Sequence, residues 1–326
     1  MRIKMEIMKL FPAGKDYLWG GTRLKEEFGK NLSYDPLAET WECSVHPDGQ
    51  SVVVNGKYAD QTLAEVLKKH PEYLGDKVGE DKEFPILIKF IDACRDLSVQ
   101  VHPNDEYARI HENQNGKTEM WYVVDAEEGA SLIYGFAHPV TPEHLQNAIK
   151  NGTLMKHLQK VPVKKGDVYY VPAGTVHGLG AGIIVAEIQE SSNVTYRVYD
   201  YDRIDKNGQK RPLQFEKAIE VMDMDASPVV HQKQRTIHYY PGCSRELLCR
   251  CEYFETERIQ MTKGMAFSVL NSSFQVLLCL EGEGEVESSG CDQKPVRFAK
   301  GDCLFLPAGA GRCHILGEAV LLKTRC

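Results

Sequence analysis

The chain repeats itself. "KKGDVYYVPAGTVHGL" (Lys164 to Leu179) returns as "AKGDCLFLPAGAGRCH" (Ala299 to His314), with Gly166 against Gly301 and Pro172 against Pro307, an offset of 135. Upstream, "VVDAEEGASL" (Val123 to Leu132) matches "LCLEGEGEVE" (Leu278 to Glu287) at an offset of 155. A strand and turn pattern that recurs over this distance predicts two related β units, each closing over its own core. The two offsets differ by about the length of a helical piece near 141–160, which reads as an insertion in the first copy.

The rest of the pattern agrees. From Phe84 onward, "FPILIKFIDA", "LSVQVH", "EMWYVVDA", "SLIYGF", "DVYYVPAG", "GIIVAEIQE" and "TYRVYDYD" alternate with Gly, Pro, Asn and Asp turns, which predicts an antiparallel sandwich or barrel rather than βαβ units. Helical periodicity is confined to segments starting at Thr62, Pro142 and Leu213. With 326 residues, 42% of them apolar, the chain can bury two cores. The division expected is 1–235 for the first unit with its insertion and 236–326 for the second.

Composition excludes several functions. The formal charge is −7 with no Lys/Arg-rich block, so a nucleic-acid footprint is missing and an anionic substrate would need local positive charge. No run reaches the ~18 apolar residues of a membrane span, and Lys4, Lys9 and Lys15 interrupt the apolar residues near Met1, so a soluble cytoplasmic protein is expected. Ten dispersed cysteines in a chain of this size predict reduced thiols, and Cys249 with Cys251 makes only a C-x-C pair on one strand face.

One stretch asks for chemistry. In "LSVQVHPND", alternation puts Ser98, Gln100 and His102 on one polar face, a spacing that aims two ligand atoms at one centre. Glu119 opens the next strand and His177 follows the Pro-Ala-Gly turn, so both can face the same point in a small barrel. Glu106 stands four residues after His102, a common cupin metal spacing, but Pro103 ends the strand between them and Glu119 is preferred. In the second copy Arg312 falls at the place of His177, with His314 close by, and no metal site is expected there. His111, His138 and His157 read as isolated, solvated side chains.

These motifs, with "GKTEMWYV", "VPAGTVHGL", "NVTYRVYDYDR", "YLWGG" and "ETWECS", resemble the phosphomannose isomerase family in its short bacterial form over nearly the whole chain. The resemblance implies a mainly β fold of two cupin-like jelly-roll β-barrel units with a few decorating helices. It also implies one zinc ion per chain on Gln100, His102, Glu119 and His177, and interconversion of mannose 6-phosphate and fructose 6-phosphate. By the same resemblance Arg197 stabilises charge, Glu187 transfers a proton, Lys117 precedes the glutamate ligand, and Ser98 and Arg203 hold the phosphate. Asn193 departs from the family's aspartate.

The chemistry suits these groups. Moving a proton between C1 and C2 of a sugar through an enediol needs a base beside those carbons and a cation beside the developing oxyanion. The expected partner is a small phosphosugar, with no nucleic acid and no membrane, and the chain is a monomer or homodimer. The alternatives are a non-catalytic sugar-binding cupin and a cupin oxygenase, the latter less suited to Gln100.

Overall fold

The run "ILIKFIDA" carries charges at Lys89 and Asp92, yet Ile86–Ala93 is buried at every position, as is Ile183–Glu190. Burial without alternation means that both faces of their sheet are covered. The computed structural model, which describes residues 5–78, 83–204, 208–228 and 230–326, shows what covers them.

Six strands form the first unit's larger sheet, in the order Val168–Val171, Glu119–Ala126, Ile183–Glu190, Ile86–Ala93, Glu39–Cys43 and Ala13–Lys15. The second unit repeats that order with Cys303–Leu306, Gln275–Ser288, Gly311–Arg325, Glu255–Met261, Cys243–Arg250 and Ile237–Tyr240. All these ladders are antiparallel. The outer faces of the two arrays pack on each other: Ile88, Phe90, Met120 and Tyr122 share a core with Leu278, Phe305 and Leu322. Met8–Phe11 and Val52–Val53 extend the second sheet beyond Cys303–Leu306.

Each unit has a second layer. In the first it is a five-stranded sheet ordered Tyr196–Tyr199, Val99–Val101, His177–Leu179, Ser131–Phe136 and Leu158–Pro162. In the second the two long strands bend over and supply it themselves, flanked by Gly264–Val269 and Val296–Ala299. The fold is mainly β, of the jelly-roll cupin kind, built from open sheets rather than closed barrels. The repeated turn keeps its backbone: Gly166 and Gly301 have φ of 89° and 91°, in the region that only glycine enters without strain.

The helices fall where the sequence starts them. Thr62 caps Leu63–Lys69 in a reciprocal capping box with Glu65, and Thr141 caps Pro142–Lys150 inside the insertion. Phe215–Val221 is the third. Arg23–Phe28 and Asp105–His111 were not foreseen from periodicity, both being too short to show it.

The ladders correct one correspondence. Arg312 does not take the place of His177; Cys313 does. The inward residues of His177–Leu179 are His177, which meets the Trp121 ring at 5.4 Å, and Leu179, which packs with Trp121 and Tyr169. The inward residues of the second unit are Cys313 and Ile315, packed with Leu277 and Leu304, while Arg312 and His314 are exposed. One extra residue lies between turn and strand, and a slip of one turns every side chain to the other face.

Candidate active site

Cross-strand pairing assembles the polar face. His177 lies opposite Gln100, Gln100 opposite Arg197, Glu119 opposite Gln189, and Glu187 opposite both Lys89 and Trp121. Paired residues point to the same side of their sheet, so these side chains converge between the first unit's two layers.

At the bottom of the convergence are His102, Glu119 and His177, each at most 1% exposed, with one ligand atom apiece lying within 4.8 Å of the others. His177 Nδ1 lies 2.8 Å from the Thr175 carbonyl; donation of its proton there leaves the Nε2 lone pair aimed at Glu119 Oε1, 3.3 Å away. His102 Nε2 is 3.5 Å from Glu119 Oε2. Neither Glu119 oxygen nor His102 Nε2 has a hydrogen-bond partner among the described residues. Buried polar atoms left open in this way suit a bound ion or water. Gln100 completes the ring, its Nε2 3.4 Å from His177 Nε2 and its Oε1 accepting from Ser98 Oγ at 3.2 Å. A half turn of the amide presents the oxygen instead.

Electrostatics favour a cation among these atoms. Burial, the largest influence, holds the His177 imidazole down at about 4 and pushes His102 well below the usual histidine range, so both rings are neutral and keep a lone pair. Burial and the nearby Glu187 carboxylate push the Glu119 carboxyl up against the opposing pull of Lys117 and Lys89, and a cation bound at its oxygens would favour the ionised form. Two neutral imidazoles and a carboxylate oxygen form a donor set for zinc or a similar divalent ion.

A cleft opens above the cluster. It is lined by Ser98, Gln100, Lys117, Glu187, Asn193 and Arg197 of the sequence-derived set. Lys117 Nζ is 3.4 Å from Glu119 Oε2. Glu187 receives Lys89 Nζ at 3.0 Å and the Trp121 indole N–H at 2.8 Å. Burial raises its pKa, but Lys89 and Lys117 together outweigh that and keep it ionised. The Nε of Arg197 is buried without a hydrogen-bond partner among the described residues. Asn193 Nδ2 donates to Asp48 Oδ2 at 2.8 Å.

Other positions differ from the expectation. Arg203 is not among the cleft-lining residues; it binds the Asp200 carboxylate and the Asp96 carbonyl. Glu106, set aside in the sequence in favour of Glu119, is exposed on Asp105–His111 and does not join the cluster. His138 and His157 are not isolated but meet at 3.0 Å, with His144 beside them, and His111 stacks on Tyr107.

Sequence reasoning missed Tyr17, Glu39, Lys89, Trp121 and Arg211, all in the cleft wall. Lys89 had a signal, since a lone lysine inside "ILIKFI" must find a buried anion. It finds two, Glu187 at 3.0 Å and Glu39 at 3.7 Å.

Known proteins share this arrangement of chain. Residues 7–133 match the family model described as phosphomannose isomerase type I, catalytic domain, and residues 245–325 match that of the mannose-6-phosphate isomerase cupin domain. The sequence is 40% identical to mannose-6-phosphate isomerase ManA of Bacillus subtilis over 311 residues, covering 94% of this chain and 95% of that one. It is 40% identical over 294 residues to the mannose-6-phosphate isomerase of Streptococcus mutans, 89% of each chain. The solved mannose 6-phosphate isomerase from Bacillus subtilis superposes with a TM-score of 0.88 at 35% identity, covering 98% of this chain and 99% of that one.

Proposed function

The chain belongs to the mannose-6-phosphate isomerase family, and from that premise we propose that it interconverts mannose 6-phosphate and fructose 6-phosphate by proton transfer through an enediol, with one zinc ion held by Gln100, His102, Glu119 and His177. The observation that carries the reading is the open, buried His102, Glu119 and His177 cluster beneath a cleft walled by paired acids and bases. Two histidines and a carboxylate would also suit an iron oxygenase. Family membership and the cationic cleft wall favour the isomerase.

When bound, the metal would supply positive charge to the sugar oxygens as charge develops there. The side chains do the rest. Glu187, ionised and oriented by Lys89 and Trp121, is placed to take a proton from one sugar carbon and return it to the next. Lys117 adds positive charge beside Glu119, and Arg197, with its open Nε, meets the developing oxyanion. Ser98 marks the end of the site where the phosphate would rest, with Arg203 behind it contributing charge through Asp200. No helix among the described residues is long and apolar enough to cross a membrane.

The test is an assay of fructose 6-phosphate formed from mannose 6-phosphate, before and after chelation. Turnover that stops with chelator and returns with zinc supports the reading. Turnover indifferent to complete metal removal contradicts the metal assignment, and no product from the metal-loaded protein contradicts the reaction.

A further inference from the structure

We propose that Arg211, held by Asp200, grips the substrate's phosphate directly, and that Arg203 supports Asp200 from outside the cleft. This rests on the phosphosugar reading above and sharpens it to one residue.

Two arginines compete for the role, and their hydrogen bonds separate them. Each nitrogen of the Arg203 guanidinium is already engaged: Nε with the Asp200 carbonyl at 3.2 Å, Nη1 with the Asp96 carbonyl at 2.5 Å, and Nη2 with Asp200 Oδ1. Arg211 spends one edge only. Its Nε reaches Asp200 Oδ2 at 2.8 Å and its Nη2 reaches Oδ1 at 2.5 Å, a fork that leaves Nη1 without a partner among the described residues. Arg211 lines the cleft beside Tyr17, Ser98 and Arg197, and Arg203 does not.

The chain is folded to bring this about. An isolated antiparallel bridge between Ile204 and Lys210 returns the backbone, so that Arg211 comes back beside Asp200, eleven residues earlier. Asp200 is 6% exposed on its side chain and cannot stand as an unpaired charge. It fixes the Arg211 fork and is itself fixed by Arg203, which makes Asp200 a positioning residue.

The charge count fits the ligand. Among the described residues, Arg203 and Arg211 both pair with the Asp200 carboxylate and Arg197 lies within its field, a local excess of positive charge. A phosphate monoester carries about −1.5 to −2 at neutral pH and presents oxygens that match a guanidinium edge. A neutral sugar would leave that surplus unmatched.

The experiment combines steady-state kinetics on mannose 6-phosphate with calorimetric titration of inorganic phosphate into the metal-loaded protein, for the wild type, Arg211→Ala, Arg211→Lys, Arg203→Ala and Asp200→Asn. Loss of a charge-assisted contact predicts a KM rise of about 10-fold or more in Arg211→Ala, a matching loss of phosphate affinity, and a much smaller change in kcat. Arg211→Lys keeps the charge without the fork and falls between. Asp200→Asn raises KM by less than Arg211→Ala, and combining the two adds little, as expected if Asp200 acts through Arg211. Unchanged KM and phosphate affinity in folded Arg211→Ala or Arg211→Lys overturns the proposal, as does a larger KM rise in Arg203→Ala. A wild type that binds phosphate through Arg211 but forms no fructose 6-phosphate contradicts the isomerase reading and leaves the anion site standing.

Discussion

The two units share a frame and differ in what they point inward. His177 pairs with Gln100 in the first and Cys313 with Phe267 in the second; Glu119 pairs with Val171, and Gln275 with Leu306. Continuing these registers, the positions of Gln100, His102, Glu119 and His177 are filled in the second unit by Phe267, Val269, Gln275 and Cys313. Val269 and Cys313 are fully buried in an apolar core with Phe267 packed against it. The same strand order thus carries a polar centre in one unit and an apolar one in the other, and the four proposed ligand positions are a local addition to it.

One polar pair survives in both, with its charges exchanged. Lys89 lies opposite Glu187 next to Trp121, and Glu257 lies opposite Lys323 next to Leu277. In the second unit Glu257 holds Lys323 at 2.8 Å and Arg245 at 2.7 Å, with Lys323 over the Phe267 ring at 5.5 Å. In the first, both members of the pair line the cleft. The same cross-strand position thus lines a cleft in one unit and is largely buried in the other, and the proposed catalytic role of Glu187 rests on that difference.

Substituting the two lysines gives the largest effect and would break that contrast if it is wrong. Removing one partner of a buried ion pair costs on the order of 3–5 kcal/mol, so Lys89→Met and Lys323→Met should both lower the denaturant midpoint. Only Lys89→Met should also lower kcat, by about 10²-fold, the scale of removing one organised charge from an active site. Equal kcat losses in the two variants, measured where both are folded, would erase the distinction between the units.

A single effect, on stability, comes from Glu190, at the end of the buried strand that carries Glu187. Burial is the largest influence on its carboxyl; against a hydrogen bond from the Thr118 N–H, and with Asp105 adding negative charge, the carboxyl is pushed up to about 8. The folded chain therefore keeps this proton from pH 4.5 to about 8, where the unfolded chain has released it. Its contribution is full below the lower value and is lost as pH rises through the upper one. Glu190→Gln should be more stable relative to the wild type at pH 9 than at pH 5, by on the order of 4 kcal/mol. Parallel stability profiles for the two proteins would show that the carboxyl titrates normally.

Much of this was legible in the sequence because it rests on alternation. Ser98, Gln100 and His102 share a face on any strand, and the Pro-Ala-Gly turn delivers His177 to the same side. Cys313 was hidden because one extra residue after the second turn changes the facing without disturbing the repeat. Arg211 was hidden for a different reason: its place in the cleft depends on a bridge between Ile204 and Lys210 and on a shared aspartate, and neither leaves a periodic trace. Arg203, six residues after Arg197, was given the phosphate role by the family resemblance and not by its own pattern in the sequence.

The central claim is that only the first unit holds a metal, and elemental analysis of purified protein tests it most directly. The wild type, His314→Ala and Cys313→Ala should each carry one zinc-class ion per chain, and His177→Ala should carry none after dialysis. Metal retained at full occupancy by His177→Ala, or lost from Cys313→Ala, would contradict the account.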